Sequence, residues 1–256
     1  MAQNKKYRKR KVWLVGDTPK EKWNFFWKYY KWNALICLIG LFVFGSMIYK
    51  SVTAPIFQMQ GFLLNTENDQ EDTSANELAR DFIEANNIDT SLGRIVLNDD
   101  WTYEPGNEER AKESTAGGRE MLIQKQNQTL DFITGYKETM LDLAYNTFFT
   151  DISTLLSTKQ LEEYKPYLLY IDQSVSEELA QAYEDKKDLS TIEIPDPTKP
   201  EEMKEPVPVL IDISHCEKLS HIYDSPKDTL AFGFIDSSPD YKLPIDFLLY
   251  IMEQED

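Results

Sequence analysis

Between Trp32 and Tyr49 the chain reads WNALICLIGLFVFGSMIY, and no Asp, Glu, Lys or Arg lies between Lys31 and Lys50. A helix needs roughly 20 mainly apolar residues to cross a bilayer, with about 17 at the lower end. Asn33, Ser46, Ser51 and Thr53 suit its ends, and apolar positions resume at Val52, Ala54, Pro55 and Ile56. The pattern predicts one membrane-spanning anchor over residues 32–54. Just before it, FFWKYYKW (Phe25 to Trp32) interleaves aromatics with lysines, as a headgroup belt does.

Beyond the anchor the apolar spacing changes to that of a globular domain. Short apolar runs at 56–64, 93–98, 129–135, 168–172, 209–213 and 229–235 predict strands. Between them lie helical patterns. Ser74 stands where a cap belongs, ahead of ANELARDFIEANN with Leu78, Phe82 and Ile83 on one face. Residues 108–128 are helix-compatible, although Gly117-Gly118 interrupts the pattern. YKETMLDLAYNT predicts a helix with Met140, Leu141 and Ala144 inward, and Ser157 with Gln160 forms a capping-box pattern. Further helices are expected at SVSEELAQAYEDKK, HCEKLSHIY and PIDFLLYIMEQ. A proline-rich stretch, 194–208, marks a boundary or exposed loop. Strands alternating with helices predict an α/β domain over residues 55–256, three-layered with a largely parallel sheet.

Charge sharpens the topology. Residues 1–31 carry ten Lys or Arg against two acidic residues, a net +8, whereas residues 51–256 carry 16 against 42, a net −26. Short Lys- and Arg-rich segments stay cytoplasmic, so the expected topology is single-pass, with a cytoplasmic N-terminus and an extracytoplasmic C-terminal domain. A cleaved signal peptide fits less well. The 31 residues before the apolar run are long for one, and the small-residue exit Val52-Thr53-Ala54 is followed by Pro55. The acidic domain excludes nucleic acid as a natural partner, because phosphate needs basic grooves.

Candidate chemistry is sparse. Cys37 lies within the anchor and Cys216 is alone in the domain, so no disulfide staples the fold. His215 beside Cys216 suggests a thiolate dyad, but sequence neighbours often point apart. Asn65, Glu67, Asp69, Glu71 and Asp72 offer oxygen ligands without the spacing of a calcium loop. His215 and His221 fit no zinc pattern. Glycines form no phosphate-binding fingerprint. The expectation is a non-enzyme without metal or cofactor.

Two stretches carry a resemblance. TLDFITGYKETMLDLAYNTFFTDISTLLSTKQLEEYKPYLLYID (Thr129 to Asp172) is similar to the strand, helix, "F-x-D-L-x-x-L" phrase, capped helix and strand of extracellular solute-binding proteins. In this chain that phrase stands as Phe149-Thr150-Asp151-Ile152-Ser153-Thr154-Leu155. VPVLIDISHCEKL followed by LAFGFIDSSPDYKLPIDFLLYIME is similar to that family's returning strands and closing helix. The chain thus resembles a membrane-anchored, shortened relative of the type 2 periplasmic-binding fold, one lobe with part of a second. The form is common in Gram-positive gut bacteria. The lipobox cysteine of typical members is absent, and the apolar helix takes its place.

The resemblance implies capture of a small ligand or a protein partner, with lipid contacted through the Trp32–Tyr49 helix. Ligands of open α/β sheets sit beyond the carboxyl ends of strands. The candidate residues there are Asn65 and Thr66 after the first strand, Trp101 after the second, and Gly135 and Tyr136 after the third. Trp101 and Tyr136 offer flat faces for stacking, and Gly135 opens a helix N-terminus to an anion. The alternative is a structural or assembly subunit of a membrane or envelope complex, with no small-molecule ligand.

Overall fold

The structure, a computed structural model, describes residues 18–53, 56–66, 74–223 and 230–253. The chain divides into two compact units, Met1–Pro55 and Ile56–Asp256. In the first, Thr18 caps helix α1 (Pro19–Tyr29) through a reciprocal capping box with Glu21. Pro19 at the first helical position suits a helix start, where no N–H is needed. Helix α2 follows over Lys31–Thr53, and α1 meets its Lys31–Ser46 stretch at 77°. Among the described residues no single helix is long and apolar enough to cross a membrane, whereas this bent pair passes by length and composition together.

The second unit holds one six-stranded sheet in the order β2-β1-β3-β6-β5-β4. Its strands are β1 (Phe57–Leu63), β2 (Arg94–Asn98), β3 (Phe132–Tyr136), β4 (Leu168–Asp172), β5 (Pro206–Asp212) and β6 (Leu230–Phe234). The helices are α3 (Ser74–Ala85), α4 (Ala111–Gln126), α5 (Lys137–Tyr145), α6 (Thr158–Tyr164), α7 (Gln173–Glu184) and α8 (Lys242–Met252). All six predicted strands are present in this α/β domain.

The expected largely parallel sheet is a mixed one. β1 pairs in parallel with β2 and β3, but β3–β6, β6–β5 and β5–β4 are antiparallel. At β4–β5 the reversal occurs across α7 and the proline-rich stretch. At β5–β6 it accompanies HCEKLSHIY, where among the described residues the structure has only a short 3-10 turn, Glu217–Leu219, in place of a helix. A parallel return needs a long crossover, commonly a helix, whereas a turn lets the next strand run back. β6 therefore lies antiparallel to β5, inserted beside β3.

Alternation along the strands builds two cores. On one face Met59, Leu63, Phe132, Phe232 and Phe234 meet Phe82 of α3 and Phe247, Leu248 and Ile251 of α8. On the other, Phe62, Leu64, Ile133 and Ala231 meet Met121 of α4 and Met140, Leu143 and Ala144 of α5. The result is three layers. Phe132 is stacked between Phe232 at 4.8 Å and Phe247 at 4.9 Å. Gly61 makes this possible, because a Cβ there would lie 2.1 Å from the Phe132 ring.

The proline-rich stretch is an ordered border of the sheet, within the second unit. Pro197 O accepts from the Tyr170 amide at 2.8 Å, and Glu205 O from that of Gln173 at 2.9 Å. Both bonds satisfy donors at the edge strand β4 or just beyond it, which limits its capacity to pair with another chain.

Candidate functional site

The connections from β1 turn to β2 on one side and then cross to β3 on the other, so their carboxyl ends flank a topological switch point. Asn65 sits here, buried and with φ 58°. Asn tolerates that left-handed conformation better than most residues. Its amide N–H donates to Trp101 O at 3.1 Å. Its side chain accepts from the Tyr103 amide at 2.7 Å and donates to Tyr103 O at 3.0 Å and Thr139 Oγ1 at 3.3 Å. Thr66 Oγ1 donates to Asp99 O at 2.8 Å. These groups hold the loop after β2 against the strand ends.

The other candidates separate. Trp101 stacks on Phe62 at 6.4 Å and belongs to the face carrying α4 and α5. Tyr136 packs on the opposite face, edge-on to Tyr223 at 5.7 Å. The sheet runs between the two rings, so they form no two-sided stacking clamp. Gly135 is a strand residue paired with Ala231, and α5 begins two residues later at Lys137. Nearby, Tyr223 and Thr134 share a buried hydroxyl hydrogen bond of 2.8 Å. Burial, above all, pushes the Tyr223 hydroxyl far above the usual tyrosine range.

The loop after β2 is anchored a second time. Tyr103 OH donates to Asp142 Oδ2 at 3.0 Å. Burial and that carboxylate raise the phenol's pKa. Arg110 bridges Glu104 Oε1 at 2.6 Å and donates to Thr102 Oγ1 at 2.9 Å. Gly117 of α4 admits the loop, because a Cβ there would lie 2.1 Å from Thr102 O. The glycine that interrupts the helical pattern is a packing residue inside a continuous helix.

This braced loop forms one wall of a cavity of about 980 Å³ between α5 and α7. From α5 come Glu138, Thr139, Leu141, Asp142 and Tyr145; from α7 come Ser176, Leu179, Ala180, Tyr183 and Glu184. Most of each set follows i, i+3, i+4, i+7 spacing. Leu189 and Ile194 of the following segment line it too, and no Lys or Arg does. Ser176 and Tyr145 are buried, and neither hydroxyl has a hydrogen-bond partner within the protein. The Tyr145 hydroxyl lies towards the Asp172 backbone without the geometry of a hydrogen bond. Buried hydroxyls without partners are uncommon.

Asp172 fixes the start of α7. Its carboxylate accepts from the Ser174 amide at 3.0 Å, Ser174 Oγ at 2.7 Å, the Lys204 amide at 2.7 Å and the Glu205 amide at 3.2 Å. Desolvation pushes its pKa up, but the four donors together hold it below the usual carboxylate range. One side chain thus caps α7 and ties it to the approach to β5.

Comparison of the chain with protein-family models, with curated proteins and with solved structures finds no match.

The remaining chemistry of the sequence finds little support. Cys216 is buried, and that burial pushes its thiol up to about 12, with Asp212 adding to the effect. Such a thiol is a poor nucleophile. The His215 ring is stacked on Tyr167 at 4.3 Å. Among the described residues no group of three or more His, Cys, Asp or Glu is placed to hold a metal. Residues 67–73 of the acidic loop lie outside the described residues.

Of the cavity residues from α5 and α7 only Leu141 stood out in the sequence, as an inward helix position. The others mix acidic, polar and apolar side chains at a helical spacing that marks no site.

Proposed function

We propose that this chain is a single-pass, membrane-anchored binding protein whose α/β domain works on the extracytoplasmic side and holds a small ligand between α5 and α7. The cavity carries the reading: about 980 Å³, at the upper end of typical small-molecule sites, with Leu141, Leu179 and Tyr183 as apolar walls beside Glu138 and Asp142. Its acidic lining, free of Lys and Arg, favours neutral or cationic occupants over anions. The resemblance to one lobe of solute-binding proteins, with part of a second, supports the same reading.

The anchor reading draws on α2. Its Lys31–Ser46 stretch is too short to span by itself, but the helix runs on to Thr53, 23 residues in all, about 34 Å at 1.5 Å per residue, against a hydrocarbon core of about 30 Å. Ile36, Leu38, Leu41, Phe42 and Phe44 are all exposed. The +8 and −26 segments that flank it set the orientation. External protease added to intact cells should digest the domain and spare residues 1–31; the reverse pattern would invert the topology.

Ligand capture is tested by thermal unfolding of the full chain in detergent against neutral and cationic solutes, beside Leu179→Trp, which places a bulky ring in the cavity wall. A solute that raises Tm in the native chain and not in the variant supports the reading. Equal shifts in both, or none across the panel, would count against it. A second reading has its own observation: Tyr183, Leu189 and Ile194 are exposed at the same cavity. A protein partner would cover them, and site-specific crosslinking from Tyr183 that captures one stoichiometric membrane protein would favour an assembly subunit.

A further inference from the structure

The first helix has no buried residue. Its aromatic side chains nevertheless form an ordered stripe. Trp23, Phe26, Trp27 and Tyr30 follow i, i+3, i+4, i+7 spacing, which places them on one side of a helix. Trp23 lies 6.2 Å from Phe26 and 5.9 Å from Trp27, and Phe26 lies 6.3 Å from Tyr30. Trp23 is still 60% exposed and Trp27 51%. Lys20, Lys22, Lys28 and Lys31 accompany the stripe, and Glu21 is the only acidic residue among residues 18–31. Glu21 is engaged in the cap with Thr18.

The bend after this helix is a defined turn. Tyr30 ends α1 with φ −118° and ψ 1°. Its amide donates to Phe26 O at 2.7 Å, and its carbonyl accepts from the Ala34 amide at 2.8 Å. Neither proline nor glycine occurs from Glu21 to Ile39, so the usual sequence causes of a sharp kink are absent. If α2 stands along the membrane normal, the 77° bend lays α1 close to the membrane plane.

We propose that α1 is an interfacial helix that lies among the cytoplasmic headgroups, binds anionic lipid through its lysines, and sets the depth of the anchor. The proposal rests on the reading of α2 as the span. Lysines disfavour continuing the span through α1, while amphipathic aromatic rings favour the headgroup zone. Lysines at that depth gain from the negative surface of an anionic leaflet. The occupant of this exposed face is therefore lipid, on grounds of charge and of continuity with the spanning helix.

The test uses the full chain in phosphatidylcholine vesicles containing lipids brominated either near the headgroup or near the bilayer centre. The signal is the tryptophan emission of the native chain minus that of the Trp23→Phe/Trp27→Phe variant. Shallow bromines should quench this difference more than deep ones. Adding phosphatidylglycerol should increase shallow quenching, and Lys20→Gln/Lys22→Gln/Lys28→Gln should abolish that increase. Stronger deep quenching would make α1 part of the span, and absence of quenching would place it away from lipid; either overturns the proposal. An increase with phosphatidylglycerol that survives the Lys→Gln changes would overturn the lysine role. A chain that fails to float with vesicles at all defeats the anchor reading itself, a distinct result.

Discussion

Asn65 binds Tyr103 as a neighbouring strand would: its side-chain oxygen accepts from the Tyr103 amide at 2.7 Å while its side-chain nitrogen donates to the Tyr103 carbonyl at 3.0 Å. One amide group therefore stands in for a rung of the sheet and carries the loop after β2. Removing it strands backbone groups in a half-buried setting. Asn65→Ala should cost about 3 kcal/mol. Asn65→Gly loses the same bonds but relieves the left-handed φ of 58°, so it should cost about 1 kcal/mol less. Denaturant unfolding of both variants checks this, and equal losses would show that backbone strain plays no part.

Gly117 and Gly118 are neighbours in α4 with opposite expectations. A Cβ at Gly117 meets the Thr102 carbonyl at 2.1 Å, a backbone group that cannot swing aside. At Gly118 the nearest atom is the Tyr103 ring edge at 3.2 Å, and alanine gains about 1 kcal/mol of helix propensity over glycine. Gly117→Ala should destabilise by about 3 kcal/mol and Gly118→Ala should be nearly neutral. Comparable losses at both sites would mean that the helix does not approach the loop as described.

Local signals carried much of the fold. The strand at 129–135 was legible because its apolar run ends at a helical pattern, and Ser157 with Gln160 was legible because a capping box is written in adjacent residues. Strand direction was not. Cys216, Leu219, Ile222 and Tyr223 are all buried, and their spacing imitates one face of a helix, although the chain there makes only a short turn. Whether the next strand runs parallel or antiparallel depends on pairing with the distant β3, which no local pattern encodes. The site was legible to a similar degree. Asn65, Thr66 and Trp101 do gather beyond the strands, but which face of the sheet Trp101 and Tyr136 take is settled by register. Ser176, Leu179, Ala180 and Tyr183 drew no reading beyond a helix, because spacing along one helix does not record whether a neighbouring helix leaves space.

Four helices end in the same way without glycine. Asn87, Gln128, Thr147 and Lys186 all have positive φ, between 51° and 58°. Each is followed by an amide that reaches back five residues, as from Phe148 to Leu143 O at 3.2 Å. This closure favours glycine, and the β-branched Thr147 is the least suited of the four. Its side chain is exposed, and Lys125 Nζ contacts only its backbone carbonyl, at 2.7 Å. Thr147→Gly should therefore stabilise the domain by about 0.5–1 kcal/mol. Asn87→Gly should gain less, since Asn already tolerates the left-handed region. Thermal unfolding that ranked Asn87→Gly above Thr147→Gly would contradict this account of the strain.

Asp131 gives the fold a pH dependence of defined sign. Its buried carboxylate accepts from the Gln60 amide at 2.8 Å and from Ser238 Oγ at 2.6 Å. Desolvation, aided by the charge of Asp240, raises its pKa in spite of these bonds. An acid whose folded pKa exceeds its unfolded value, about 3.9, contributes stability that is complete below that value. This contribution is lost as pH rises through the folded pKa. Asp131→Asn removes the titration while keeping the contacts: the amide oxygen accepts from Gln60, and the amide nitrogen donates to Ser238. The Ser238 hydroxyl then keeps Asp240 O, already 3.1 Å away, as its own acceptor. The stability of Asp131→Asn relative to the native chain should rise with pH from about 4 upwards. Asp131→Ala leaves the Gln60 amide without a partner, so it should fall below Asp131→Asn at every pH. Denaturant unfolding of all three chains across this range measures the trend. A relative stability of Asp131→Asn that declines as pH rises would mean that hydrogen bonding to the carboxylate outweighs its desolvation, reversing the sign argued for this group.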